Sequence, residues 1–152
     1  MITYYKQTDP RWSRNRIGLS WLTLGAYGCV ATAVSMMATY SGSPMTPAQV
    51  AAQKTWFVMG LINWKALKIS HLQFLRREYG RNDKNIQAAI KGDPNTFVLI
   101  QIKTRTIPSH WVWAIGINGS GYWVADPLYG DKVDLFKRYG HSITGAAYFL
   151  KV

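Results

Sequence analysis

The sequence contains a single cysteine, Cys29, among its 152 residues. One cysteine cannot form an internal disulfide, so nothing in the sequence indicates an oxidising compartment. It also cannot build a zinc site of two or more cysteines, and the three histidines lack the spacing of a zinc motif. We therefore expect no metal and no cofactor, and the lone thiol needs another explanation.

Acidic residues are scarce as well, with 7 against 18 lysines and arginines and a net charge of +11. The basic residues are scattered from Lys6 to Lys151 rather than gathered in one tail. Such a charge attracts polyanions, which include nucleic acid, anionic lipid and the anionic polymers of bacterial walls. Charge alone does not choose among them. We expect anionic polymers as the charged partners and do not expect nucleic acid.

Residues 17–53 contain no charged side chain, but glycines, Pro44 and several serines and threonines interrupt the stretch. This composition favours a buried central helix over a membrane span, so we predict no integral membrane segment. The N-terminus lacks a charged region followed by an apolar core, which predicts synthesis in the cytoplasm without a signal peptide. Action at a cell wall would then require release by lysis or carriage on a virion.

The apolar pattern changes along the chain, from helical runs in the first part to β-rich runs in the second. With 48% apolar residues, the chain can bury one core without a disulfide or metal. We find no repeat, low-complexity linker or domain boundary, and we predict a single domain over residues 1–152. Its predicted fold class is α+β, with the helices before an antiparallel sheet.

The helix from Cys29 to about Tyr40 is apolar or small on nearly every face, which is typical of a buried helix. Residues 72–79 fit a helix or a strand equally well. A short helix is expected from Thr46-Pro47 to about Lys54, a helical turn over residues 63–68, a helix over residues 83–91, and strands over residues 96–103, 111–118, 122–125 and 144–152.

The predicted position of Cys29 is near a helix N-terminus, where the helix dipole favours a nucleophilic thiolate. The alternative is that Cys29 is a small buried hydrophobe, which is the usual environment of a free cysteine. Two other residues favour the first interpretation. His110 begins an apolar strand, and Asp126 ends the next one, where a buried carboxylate needs a partner.

Whether His110 and Asp126 meet depends on the register of the intervening hairpin. A two-residue turn at Gly119 and Ser120 alone would place them on opposite faces of the sheet. A three- or five-residue turn, or a β-bulge, would place them on the same face. The other histidines, His71 and His141, lie outside apolar strands and are expected at the surface.

These segments together resemble the bacteriocin leader-processing peptidases and their free-standing relatives, a branch of the papain-like cysteine peptidases. The resemblance covers nearly the whole chain, although Trp111 and Trp113 are bulkier than the aliphatic residues typical of the family. The motifs that carry it are Tyr5–Trp12, Thr23–Ala33, Thr46-Pro47, Ile62–Trp64, His110–Gly116 and Asp126-Pro127.

The resemblance implies a papain-like fold in which the nucleophile helix packs on the C-terminal sheet. It also implies that Cys29 is the nucleophile, that His110 is its base and that Asp126 orients the histidine. Gln7 is the implied side-chain donor of the oxyanion hole, a role that the residue's own sequence context does not indicate.

Three functions are consistent with these sequence features. The first is a cysteine hydrolase that cleaves peptide bonds in bacterial peptidoglycan, as a phage or bacterial lysin does, because the basic charge and the tryptophans suit an anionic wall. The second is a cytoplasmic processing peptidase. The third is a catalytically idle, basic binding or virion module built on the same fold.

Overall fold

The computed structural model describes residues 1–152 and has an α+β architecture of five α-helices and eight β-strands, which confirms the predicted α+β class. The helices are α1 (Leu24–Tyr27), α2 (Cys29–Ser41), α3 (Pro47–Ala51), α4 (Asp83–Lys91) and α5 (Leu135–Tyr139). The strands are β1 (Phe57–Val58), β2 (Leu61–Ile62), β3 (Leu72–Tyr79), β4 (Thr96–Ile102), β5 (His110–Asn118), β6 (Gly121–Asp126), β7 (Asp131–Asp134) and β8 (Ile143–Lys151).

Six strands form one antiparallel sheet in the order β3-β8-β4-β5-β6-β7, and β1 and β2 form a separate hairpin. Helices cover both faces of this sheet, with α2 on one face and α4 and α5 on the other. Successive residues of β4 alternate between the two layers: Leu99 packs in the core under α2, whereas Val98 and Ile100 pack under α4 and α5. The two cores account for the high apolar content of the strands.

The helix α2 forms the centre of the first core because it is apolar or small around its circumference. It ends at Gly42, whose φ of 100° is a left-handed conformation that glycine adopts readily. The amides of Gly42 and Ser43 bond back to carbonyls of the last turn, which satisfies groups that the helix leaves free. The uncharged stretch 17–53 therefore folds mainly as α1, α2 and α3. None of the five helices combines the length and the apolar character that a membrane crossing requires.

The predicted elements agree with the structure where the pattern was long and regular. The helix over residues 83–91 has the predicted bounds. Residues 72–79, for which the sequence favoured neither helix nor strand, form the edge strand β3. The short helix after Thr46 ends at Ala51, earlier than expected, and a 3₁₀ turn over Lys54–Trp56 follows it. The elements that the residue pattern did not predict are α1, the β1–β2 hairpin, β7 and α5.

Candidate active site

Cys29 is the first residue of α2 and is partly exposed to solvent. No side chain caps this end of the helix, so its leading N–H groups stay free, and their partial positive charge lies at the end of the helix where Cys29 stands. Gly28 joins α1 to α2, and a Cβ atom at this position would overlap the carbonyl oxygen and the side chain of Leu24. The tight junction therefore requires glycine immediately before Cys29.

His110 is the first residue of β5, and only 4% of it is exposed. Its Nε2 atom lies 2.9 Å from Oδ1 of Asp126, which is the last residue of β6 and is fully buried. The two side chains that the sequence pattern paired are thus in direct contact.

A β-bulge in β5 makes this contact possible. Near the two-residue turn, Asn118 pairs with Gly121, and this register would place His110 and Asp126 on opposite faces. The register shifts by one residue at Ile115, so that farther from the turn Trp113 pairs with Ala125. Of the alternatives that the sequence left open, the structure contains the bulge.

The electrostatic environment of His110 favours the imidazolium. Burial alone would lower the pKa of His110, but the hydrogen bond with Asp126 and the interactions with Cys29 outweigh burial and raise the pKa to about 9. Because Asp126 engages Nε2, the nitrogen that remains for the thiol is Nδ1. The arrangement therefore has the parts of a general base: an imidazole that a carboxylate orients, with Nδ1 as the nitrogen that Asp126 does not engage.

Asp126 accepts hydrogen bonds from four groups. Its Oδ1 atom accepts from His110 and from the N–H of Leu128 at 2.9 Å. Its Oδ2 atom accepts from the Tyr139 hydroxyl and, at 2.9 Å, from the Arg138 guanidinium. Burial alone would raise the pKa of Asp126, but the hydrogen bonds from His110 and Tyr139 outweigh it and hold the pKa below its ordinary value.

Sequence reasoning missed Arg138 and Tyr139, which α5 brings to the site. The Tyr139 hydroxyl lies 3.3 Å from Nε2 of His110 in addition to its bond with Asp126. Arg138 also forms a two-armed contact with Asp131, at 2.7 and 2.8 Å. The only available signal was a short basic and aromatic segment, which equally fits an exposed loop, so no motif would have identified these residues.

Gln7 is buried, with a relative exposure of 3%, and is held from two sides. Its backbone N–H donates to the carbonyl of Pro127 at 2.8 Å, directly after Asp126. Its side-chain Nε2 donates to the carbonyl of Gly25 in α1 at 3.2 Å, four residues before Cys29. An amide nitrogen has two hydrogens, so one donor remains beyond the bond to Gly25. The structure thus holds Gln7 between the Asp126 loop and the segment that leads to the thiol.

The other histidines lie apart from this cluster. His71 and His141 are both exposed, as predicted, and His71 contacts the carbonyl of Val152 at 3.2 Å. No group of three or more histidine, cysteine and acidic side chains is arranged so that it could hold a metal ion.

Comparison with known proteins adds no relative: no protein-family model matches the chain, and no curated protein matches its sequence.

Proposed function

We propose that this protein is a cysteine hydrolase of the papain-like kind that cleaves peptide or amide bonds through Cys29, His110 and Asp126. One observation carries the proposal: a buried imidazole lies 2.9 Å from a buried carboxylate, and the thiol that begins a central helix is among the groups that raise the pKa of this imidazole. A merely structural cysteine needs neither a charged histidine partner nor a helix terminus. The resemblance of the sequence motifs to the leader-processing peptidases and their free-standing relatives supports the same assignment.

The proposed reaction begins with transfer of the Cys29 proton to Nδ1 of His110. The thiolate attacks the carbonyl carbon of the scissile bond, which forms the S–C bond and a tetrahedral oxyanion. The Cys29 N–H and the free amide hydrogen of Gln7 are the proposed oxyanion donors. His110 then protonates the leaving amine as the C–N bond breaks.

Water completes the reaction by hydrolysing the thioester. His110 takes a proton from the attacking water, the S–C bond breaks, and the product acid leaves with the thiolate restored. Asp126 keeps the imidazole in one orientation and stabilises its positive charge, while Arg138 and Tyr139 keep Asp126 in place.

For the substrate we propose peptide bonds of bacterial peptidoglycan. The supporting observation is the charge of +11, which favours association with an anionic wall and would be unnecessary for a peptidase that acts on unselected cytoplasmic peptides. The proposed setting is a lysin released by lysis or carried on a virion.

Mass spectrometry of purified peptidoglycan digested with the wild type and with Cys29→Ala tests the proposal. We expect new peptide termini from the wild type and none from the variant, with His71→Ala as the matched control that keeps activity. Cleavage of a casein-like substrate but not of peptidoglycan would favour a processing peptidase. If iodoacetamide alkylates Cys29 no faster than a free thiol near neutral pH, the protein is a binding module and the proposal is wrong.

A further inference from the structure

Three strongly exposed apolar side chains lie together on two neighbouring turns. Leu19, Trp21 and Met59 are 78, 79 and 86% exposed, respectively. Together with Leu22 and Phe57 they line a groove of about 430 Å³, and we call these five residues the apolar patch. Scattered apolar residues are normal on a protein surface, whereas a contiguous exposed group is typical of an interaction site.

The first turn of the apolar patch is held in place by its own hydrogen bonds. The Ile17 amide donates to the carbonyl of Leu22 at 2.8 Å, and the Ser20 hydroxyl donates to the carbonyl of Ile17 at 2.7 Å. The amide of Gly18 donates to Ala51 in α3 at 2.8 Å. The exposure of this turn is therefore a fixed feature of the fold.

The second turn is the tip of the β1–β2 hairpin, where Val58 pairs with Leu61. Met59 at the tip has a φ of 53°, a conformation that asparagine, aspartate and glycine adopt more readily than methionine. Val58 and Leu61 are also exposed, at 59 and 71%. Turn geometry and solubility would both favour polar residues at this tip, yet the side chains of Val58, Met59 and Leu61 are all apolar.

The charged residues that flank the apolar patch along the sequence are all basic. Residues 10–77, which contain the entire patch, include eight lysines and arginines and no acidic residue. The Arg16 guanidinium lies 4.0 Å from the ring centre of Trp21, and Gly18 packs beside the backbone of Lys54. The patch thus combines protruding apolar groups with a positively charged border.

We propose that the apolar patch binds the surface of an anionic phospholipid bilayer. Leu19, Trp21 and Met59 enter the boundary between headgroups and acyl chains, while the basic border contacts lipid phosphates. Nucleic acid and wall polymers would satisfy the charge, but they offer no apolar phase for the tip of the hairpin. This binding does not depend on the proposed hydrolase activity.

Vesicle binding tests the proposal, because Trp21 is the only exposed tryptophan of the chain. We expect co-sedimentation with vesicles of equal parts phosphatidylglycerol and phosphatidylcholine, and weak binding to phosphatidylcholine alone. Lipids brominated on the acyl chain should quench the fluorescence of Trp21 on binding. The variant Trp21→Phe should bind the same vesicles and lose this quenching.

The double variant Leu19→Ser/Met59→Ser should bind at least about tenfold more weakly, since it removes the apolar contribution. Lys54→Gln should weaken binding about fivefold. Leu75→Ser is the matched control, because Leu75 is exposed in β3 outside the apolar patch, and it should bind as the wild type does. Circular dichroism checks that each variant folds. Equal binding by the double variant, or binding to anionic vesicles without quenching, would overturn the proposal.

Discussion

Arg138 and Tyr139 determine how the Asp126 carboxylate is held, because both donate to the oxygen that does not contact His110. With its lone pairs occupied, the carboxylate has little freedom to rotate away from the imidazole. The orientation of His110 therefore depends on two residues of α5 that lie outside the proposed catalytic triad.

Replacement of Tyr139 by phenylalanine tests this dependence. We expect Tyr139→Phe to destabilise the protein by about 1 kcal/mol through the lost hydrogen bond and to slow alkylation of Cys29 about fivefold. Chemical denaturation and the rate of reaction with iodoacetamide measure the two effects. Tyr148→Phe is the control, since the hydroxyl of Tyr148 donates to Glu78 at 2.6 Å, away from the site. Equal slowing in both variants would contradict a positioning role for Tyr139.

Replacement of Asp126 by asparagine tests the coupling of the carboxylate to the imidazole. The pKa of His110 is raised to about 9 in part by its hydrogen bond with Asp126. Asp126→Asn removes the negative charge, so we expect the pKa of His110 to fall by about one pH unit or more, toward or below its ordinary value. NMR titration of the imidazole protons measures it. An unchanged pKa would mean that a group other than Asp126 raises the pKa of His110.

At the scale of elements, the junction between α1 and α2 fixes the position of the thiol. A methyl group at Gly28 would overlap Leu24, so we expect Gly28→Ala to separate the two helices. The expected cost is about 2 kcal/mol or more in the free energy of unfolding, together with slower alkylation of Cys29.

Gly116 provides the matched control for this substitution. A Cβ atom there would meet only the Trp123 side chain, at the ordinary contact distance of 3.7 Å. Gly116→Ala should therefore change the free energy of unfolding by about 0.5 kcal/mol or less. If both variants are equally stable, the packing argument at Gly28 is wrong.

The elements differ in how far the sequence predicts them. The helix α2 was predictable because its thirteen residues contain no glycine or proline and are apolar or small around the circumference, a pattern typical of a buried helix. The strand β3 was ambiguous for a physical reason: a register shift between Phe74 and Arg76 breaks the alternation that identifies a strand. The strand β7 is four residues long and mostly charged, so it gives no apolar pattern.

The residues of the candidate site, like the elements, were predictable from the sequence only in part. Cys29, His110 and Asp126 were found because each stands at the end of an apolar element, where a polar residue is conspicuous. The contact between His110 and Asp126 required a bulge at Ile115 that no local residue pattern indicated. Arg138 and Tyr139 could not be identified, since the contact with Asp126 is tertiary and their helix is only five residues long.

For the whole molecule, the raised pKa of His110 links stability to pH. The pKa rises from 6.5 to about 9 on folding, so the folded protein holds this proton more tightly than the unfolded chain. The resulting stabilisation is fully present below about pH 6.5 and is lost as the pH rises toward 9. We expect the free energy of unfolding to fall by up to about 3 kcal/mol across this interval.

Urea unfolding at about pH 6, 7.5 and 9 measures this dependence. The variant His110→Gln has no titrating group at position 110, so its free energy of unfolding should depend only weakly on pH. The variant His71→Gln should retain the pH dependence of the wild type. If the pH dependence of the free energy of unfolding persists in His110→Gln, a group other than His110 causes it.

The contact between Gln7 and Pro127 joins positions 120 residues apart along the chain. A ribosome makes Gln7 120 residues before Pro127, so the Gln7 amide cannot bond to this carbonyl while the intervening residues are being added. Until Pro127 has been made, Gln7 lacks one of its two anchors, and Gly25 alone is available to hold the proposed oxyanion donor. A growing polypeptide would thus carry its thiol without the proposed ability to hydrolyse a bond until His110, Asp126 and Pro127 have been made.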